Sequence, residues 1–131
     1  MYSSSAMPDS KLRVLIVEDN RIILDNLVET LSEMVDAKVA HISAGEKDAR
    51  DWLASNHDWA IAIVDLFLKD GTGLGVLKAL KARRTSQRVV VLSNYATQEM
   101  RTRCLHLGAD QVFDKSTELD QFIEYCLEQR G

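Results

Sequence analysis

Leu12-Arg13-Val14-Leu15-Ile16-Val17-Glu18-Asp19 is an apolar run that stops on two acids, and three further stretches end in a comparable way. Ala60 to Val64 (Ala-Ile-Ala-Ile-Val) runs into Asp65, Val89 to Leu92 into Ser93, and Gln111 to Asp114 into Lys115. Near-continuous apolar runs of this kind mark strands buried on both faces, as in a parallel sheet covered by helices. If the strands lie parallel, their carboxyl ends bring Glu18, Asp19, Asp65, Ser93 and Lys115 to one edge, where open α/β sheets bind ligands. Three carboxylates, an ammonium and a hydroxyl suit a hard divalent cation and a phosphoryl group.

Outward from these strands the chain alternates regularly. Arg21 to Met34 carries Ile23, Leu24, Leu27, Val28 and Leu31 on one stripe and predicts a helix. A short strand at Lys38 to Ile42 and a helix near Glu46 to Ser55, burying Ala49, Trp52 and Leu53, come next. After Asp65 a loop with Asp70-Gly71-Thr72-Gly73 leads into a helix with Leu74, Leu77 and Leu80. Thr85-Ser86-Gln87 breaks the pattern before the strand Arg88 to Leu92. A helix over Thr97 to Leu107 is closed by Gly108 at a C-cap position, and Leu119, Phe122, Ile123, Cys126 and Leu127 mark a last helix. Five strands alternating with five helices predict an α/β fold with a doubly wound, flavodoxin-like parallel sheet of order 2-1-3-4-5. That order places Glu18-Asp19 opposite Asp65 at the topological switch point.

The chain has 131 residues, 46% apolar and 27% charged, the size and balance of one globular domain. Residues 1–10, Ser-rich and holding the only Pro (Pro8), read as a flexible leader before a domain over 11–131. A net charge of −4 gives no electrostatic footprint for nucleic acid. No apolar run has the length of a membrane span, and the start lacks the regions of a signal peptide, so a cytoplasmic location is expected. Cys104 and Cys126, without CxxC spacing, read as buried free thiols. His41, His57 and His106 have no metal-ligand spacing and read as surface or edge histidines. Trp52 and Trp59 read as packing residues. Gly71-x-Gly73-x-Gly75 lacks the dinucleotide fingerprint and reads as a flexible turn.

Taken singly, each site residue has an ordinary explanation. Glu18-Asp19 could cap the following helix, Asp65 could be a turn residue, Ser93 a loop hydroxyl and Lys115 a solvated charge. Their coincidence at one edge weakens those explanations, because three acids together without a cation raise pKa values and cost stability.

From Leu12 to about Leu127 the chain resembles the receiver domain of two-component response regulators, in particular a stand-alone, chemotaxis-regulator-like receiver. The residues that carry the resemblance are Glu18-Asp19 after strand one, Asp65 after strand three, Ser93 after strand four and Lys115 after strand five. The loop Asp65-Leu66-Phe67-Leu68-Lys69-Asp70-Gly71-Thr72-Gly73 and the stretch Leu107-Gly108-Ala109-Asp110 add to it. The resemblance implies a phosphorylation-dependent signalling switch rather than a conventional enzyme. Asp65 would be the phosphoacceptor, and Ser93 and Lys115 would contact the phosphoryl group. Glu18, Asp19, Asp65 and the backbone carbonyl of Phe67 would hold Mg²⁺, for which Mn²⁺ can substitute.

The implied partners are a sensor histidine kinase or a histidine phosphotransfer protein and a downstream protein, with no direct nucleic-acid or membrane partner. Phe113 is placed where an aromatic side chain could change exposure with phosphorylation. Phe67 and Tyr95, two residues after Asp65 and Ser93, are expected to border the path of water to the phosphorus and so to prolong the phosphorylated state. Two departures stand out: Ser116 follows Lys115 where the family commonly has Pro in a cis peptide, and Asn94 follows Ser93 where a small residue is usual. With no output domain visible, the expectation is a receiver that acts by binding a partner or relaying phosphate. An aspartate-nucleophile phosphohydrolase is the rival reading, but it usually needs a second Asp where this chain has Phe67. A pseudo-receiver interaction module is the other, and the intact site residues argue against it.

Overall fold

Every strand run identified above is a strand in the computed structural model, which describes residues 11–94 and 96–130. The leader assigned to residues 1–10, and Tyr95, lie outside the described residues. The elements are β1 (Leu12–Val17), α1 (Arg21–Thr30), β2 (Ala37–Ser43), α2 (Glu46–Ser55), β3 (Ile61–Val64), α3 (Gly73–Leu80), β4 (Arg88–Ser93), α4 (Gln98–His106), β5 (Gln111–Asp114) and α5 (Leu119–Arg130). The sheet is parallel with order β2-β1-β3-β4-β5, as expected.

Strand alternation divides the core between the two faces of the sheet. Val14, Ile16, Ile61, Ile63, Val90, Leu92 and Phe113 pack with Leu27 and Leu31 and with Phe122, Ile123 and Cys126 of α5. Leu15, Val17, Ala62, Val64, Val89, Val91 and Val112 pack with Ala49 of α2, Val76, Leu77 and Leu80 of α3, and Cys104 of α4. Each such Val, Leu or Ile contributes about 1.5–3 kcal/mol when fully buried, so both helical layers are tied to the sheet. Both cysteines are buried and free, and burial pushes the Cys126 thiol up to about 12.

Side-chain caps set where three helices begin. Asn20 Oδ1 accepts from Ile23 N (3.0 Å), Thr72 Oγ1 from Gly75 N (3.1 Å) and Thr97 Oγ1 from Met100 N (3.2 Å), each worth about 1 kcal/mol. Thr97 thus caps α4 rather than forming its first turn. The helix expected through Met34 is regular only to Thr30 and continues as a wider π-turn over Leu31–Val35. Asp36, with φ 55°, closes that turn on Leu31 O and delivers the chain directly into β2. Trp52, expected in the core, is half-buried and stacks on His41 of the edge strand β2 (4.9 Å, 5°), while Trp59 is buried. No helix among the described residues is long and apolar enough to cross a membrane.

Candidate functional site

Strand register fixes the positions of the acids. Val17 of β1 pairs with Val64 of β3, so Glu18 and Asp65 each stand one residue beyond a matched pair. Asp65 N donates to Val17 O (3.0 Å) and Glu18 N to Ser43 O (3.0 Å), extending the ladder past the strand ends. The acidic pair is not used to cap α1, because Asn20 does that. Glu18 Oε2 instead accepts from Asn20 N (3.1 Å), and Asp19 Oδ2 accepts from Lys69 N (2.6 Å) in the loop after β3. Carboxylate oxygens of Glu18, Asp19 and Asp65 lie within 4.8 Å of one another. Ligands on opposite sides of an octahedral Mg²⁺ shell are about 4 Å apart, so small side-chain adjustments close this set around a hard cation. The donor chemistry and the spacing fit the group.

Lys115 enters from the other side of the edge. Its Nζ lies 2.8 Å from Glu18 Oε1 and 3.5 Å from Asp65 Oδ1. Lys115 N donates to Ser93 O (3.0 Å), which joins the ends of β4 and β5. Ser93 is fully buried at the end of β4. Burial pushes the Asp65 carboxyl up to about 6; the Lys115 ammonium opposes that rise and the Glu18 charge adds to it. A bound divalent cation would reverse the shift by favouring the carboxylate. All five site residues named from the sequence therefore meet at one sheet edge. Beside Lys115 a cleft of 320 Å³ opens between Ile23, Leu27 and Thr30 on one side and Leu92, Asn94 and Leu119 on the other.

The loop after β3 differs from the flexible turn expected for the glycine run. A Cβ on Gly73 would lie 2.2 Å from Asp65 O and 2.7 Å from Leu66 Cα, so α3 starts against the backbone of Asp65 itself. Gly75 packs against the Glu46 carboxylate, whose Oε1 accepts from Thr72 N (2.9 Å), and Glu46 N donates to Asp70 O (2.9 Å). Gly71, with φ 80°, takes the left-handed conformation of a turn, while Gly73 and Gly75 serve close approach. Phe67, joined to Thr72 by an antiparallel bridge, is 53% exposed at the rim of the site. Phe113 lies in the core, edge-on to Phe122 and tilted on Tyr125, both at 6.0 Å.

Sequence reasoning passed over four contributors: Lys69 and Glu46 as loop anchors, and the pair Arg101 and Glu118. Arg101 Nη2 donates to Glu118 Oε1 (2.6 Å), and the same oxygen accepts from Asp114 N (2.9 Å). Asp114 Oδ1 accepts from Ser116 N (2.8 Å), Ser116 Oγ (2.6 Å) and Thr117 N (3.2 Å). Asp-x-Ser-Thr is an Asx-turn signature legible in the sequence; the Arg101 contact is not. No cis peptide occurs among the described residues, which agrees with the absence of Pro after Lys115.

A profile of the response regulator receiver domain matches residues 14–126. Among curated proteins, the photosynthetic apparatus regulatory protein RegA of Rhodobacter capsulatus is 30% identical over 116 residues, covering 87% of this chain and 60% of that protein. The acid tolerance regulatory protein ActR of Rhizobium meliloti is 29% identical over 124 residues, covering 95% of this chain and 61% of that protein. The chain thus spans about three fifths of the length of these relatives. Among solved structures, a LuxR-family DNA-binding response regulator from Staphylococcus aureus superposes with a TM-score of 0.79 at 15% identity, covering 92% of this chain and 99% of that one. The CheX-CheY-BeF3-Mg complex from Borrelia burgdorferi gives 0.78 at 16% identity, covering 89% and 87%. At these identities the structural likeness concerns the fold.

Proposed function

This chain belongs to the response regulator receiver domain family, and on that premise we propose that it is a signalling switch whose Asp65 accepts a phosphoryl group from a histidine kinase or a histidine phosphotransfer protein. The observation that carries the reading is the convergence of Lys115 Nζ, Asp65 and the acidic pair at one sheet edge, with Asp65 held between an ammonium and two further carboxylates. An Asp65 carboxylate oxygen attacks phosphorus, the P–N bond to the donor imidazole breaks, and its electron pair returns to the ring. Little covalent chemistry is asked of the protein in such a transfer; it supplies position and charge.

Glu18, Asp19 and Asp65, with the backbone carbonyl of Phe67, would hold Mg²⁺ or Mn²⁺, and the ion would offset the charge of the phosphoryl oxygens. Lys115 supplies a fixed positive charge beside the acceptor oxygen. The Ser93 hydroxyl, at the end of β4, donates to a phosphoryl oxygen after transfer, which gives the loop beyond it a contact absent before transfer. That differential contact is what a two-state change of partner-binding surface requires. The two regulatory relatives support a role in signalling.

Incubation with a small-molecule phosphodonor and divalent cation, followed by intact-mass measurement, tests the assignment. The parent should gain one acid-labile phosphoryl group and Asp65→Asn none; label on the variant would remove Asp65 from this role.

A further inference from the structure

We propose that Arg101 and Glu118 are positioning residues for Lys115, an inference that rests on the phosphoacceptor reading above. Lys115 sits on the short loop between Asp114, the last residue of β5, and Leu119, the first of α5. A lysine side chain has about 2 kcal/mol of rotamer entropy to lose when held, so its approach to Glu18 and Asp65 depends on a loop that does not move.

The loop is fixed by hydrogen bonds at both ends. Asp114 Oδ1 gathers the N–H groups of Ser116 and Thr117, while Glu118 Oε1 accepts from Asp114 N and Glu118 N donates to Asp114 O (2.9 Å). One guanidinium then ties this ring to the rest of the edge. Arg101 Nε donates to Ala96 O (2.9 Å) in the loop after Ser93, Nη1 to Val112 O (3.0 Å) on β5, and Nη2 to Glu118 Oε1 (2.6 Å). The planar fork of arginine meets three acceptors that an ammonium could not reach together.

An ordinary surface ion pair is worth about 0–1 kcal/mol and has no further consequence. This pair differs because both side chains are half-buried, at 28% and 30% exposure, and because it also satisfies two backbone carbonyls and a backbone N–H. It joins the segment that leaves Ser93 to the segment that carries Lys115, the two groups assigned to the phosphoryl oxygens. Removing it loosens the Lys115 loop, which keeps only its Asp114 turn and its backbone bonds, without touching Glu18, Asp19 or Asp65, which lie beyond β1 and β3.

The test compares phosphoryl uptake from a small-molecule donor, divalent-cation affinity and the order of the Lys115 ammonium seen by magnetic resonance. Arg101→Ala and Glu118→Ala should slow uptake by about tenfold or more, the scale set by a small misplacement of a catalytic group, with the Lys115 ammonium disordered and Mg²⁺ affinity not reduced, because an ammonium that leaves Glu18 no longer competes with the cation. Glu118→Gln, which keeps an acceptor oxygen, should restore most of the rate. In a Lys115→Ala background, Arg101→Ala should add nothing, because residues that act through one group are not additive.

Parental uptake together with an ordered Lys115 in folded Arg101→Ala would overturn the proposal, as would equal rates for Glu118→Gln and Glu118→Ala. If Arg101→Ala does not fold, the Glu118 pair decides the matter. Equal labelling of the parent and Asp65→Asn, or none of the parent, would instead overturn the phosphoacceptor reading; the Lys115 resonance still judges the positioning role in that case.

Discussion

Lys115 donates to Glu18 Oε1 at 2.8 Å, a closer approach than the 3.5 Å that separates it from Asp65 Oδ1. In this state the ammonium is shared, and the acceptor carboxylate receives the smaller part of its field. Glu18→Gln removes the competing charge and keeps an oxygen for Asn20 N. The Asp65 pKa should therefore fall, since the Glu18 charge raises it and the Lys115 ammonium lowers it. Magnetic resonance titration of the Asp65 carboxyl in metal-free protein measures this, and a value at or above the parent's would contradict it.

The raised Asp65 pKa also predicts an unusual pH dependence of stability. An acid near 3.9 in the unfolded chain and about 6 in the folded one binds its proton more tightly when folded. Its contribution is fully present below pH 4 and is lost as pH rises through 6, by up to ~3 kcal/mol. Asp114 and Glu118, whose carboxyls are held below their ordinary values by hydrogen bonds from Ser116 and from Arg101 respectively, act in the opposite sense, with stability lost as pH falls. Urea unfolding of the metal-free protein should show a decline between pH 4 and 7 that Asp65→Asn flattens. The variant should exceed the parent in stability at pH 7. If both follow the same curve through this window, the burial of Asp65 does not carry the effect.

Asp19→Asn tests the acidic pair apart from the loop. The amide oxygen can still accept from Lys69 N, so the loop after β3 should stay in place, while one charge facing the cation is lost. Divalent-cation affinity, followed by magnetic resonance titration, should drop by about tenfold, the equivalent of ~1.4 kcal/mol. An unchanged affinity would remove Asp19 from the ligand set.

The two packed glycines should behave differently. A methyl at Gly73 meets the backbone of Asp65 and Leu66, whereas one at Gly75 meets the end of the Glu46 side chain, which can swing aside. Gly73→Ala is expected to cost about 1–3 kcal/mol or more by overpacking, and to slow phosphoryl uptake because the acceptor's own backbone must shift. Gly75→Ala should cost less. Denaturant midpoints give the ranking, and the reverse order would show that the Asp65 backbone yields more easily than its surroundings suggest.

The contrast between these residues shows what the sequence disclosed. The strand ends were legible because buried parallel strands are written as unbroken apolar runs, and a residue just past such a run must lie at the carboxyl edge. Glu18, Asp19, Asp65, Ser93 and Lys115 needed nothing more. Gly73 reads as a turn residue because freedom of φ is visible in a sequence, while its close approach to Asp65 is a property of the assembled sheet. Arg101 and Glu118 are separated by β5 and resemble solvated helix charges until the fold brings them together. The π-turn at Leu31–Val35 depends on the left-handed Asp36, a conformation that no local pattern announced.

Phe67 supplies the last prediction, on the lifetime of the phosphorylated state. It follows Asp65 by two residues, its backbone is tied to Thr72, and its side chain is half exposed at the rim of the site. Hydrolysis of an acyl phosphate needs a water in line with the bond to Asp65, and an aromatic ring there can neither donate nor accept a hydrogen bond to orient it. Phe67→Asn provides an amide able to do both and takes away the ring's bulk. Spontaneous loss of phosphate should accelerate several-fold while uptake stays near the parental rate, because Phe67 contributes only its backbone carbonyl to the proposed cation site. Combining it with replacement of Tyr95 by a small or charged residue should add to the acceleration. Decay curves from intact-mass measurement decide the question: if the double variant loses phosphate no faster than the parent, the aromatic side chains do not control access of water.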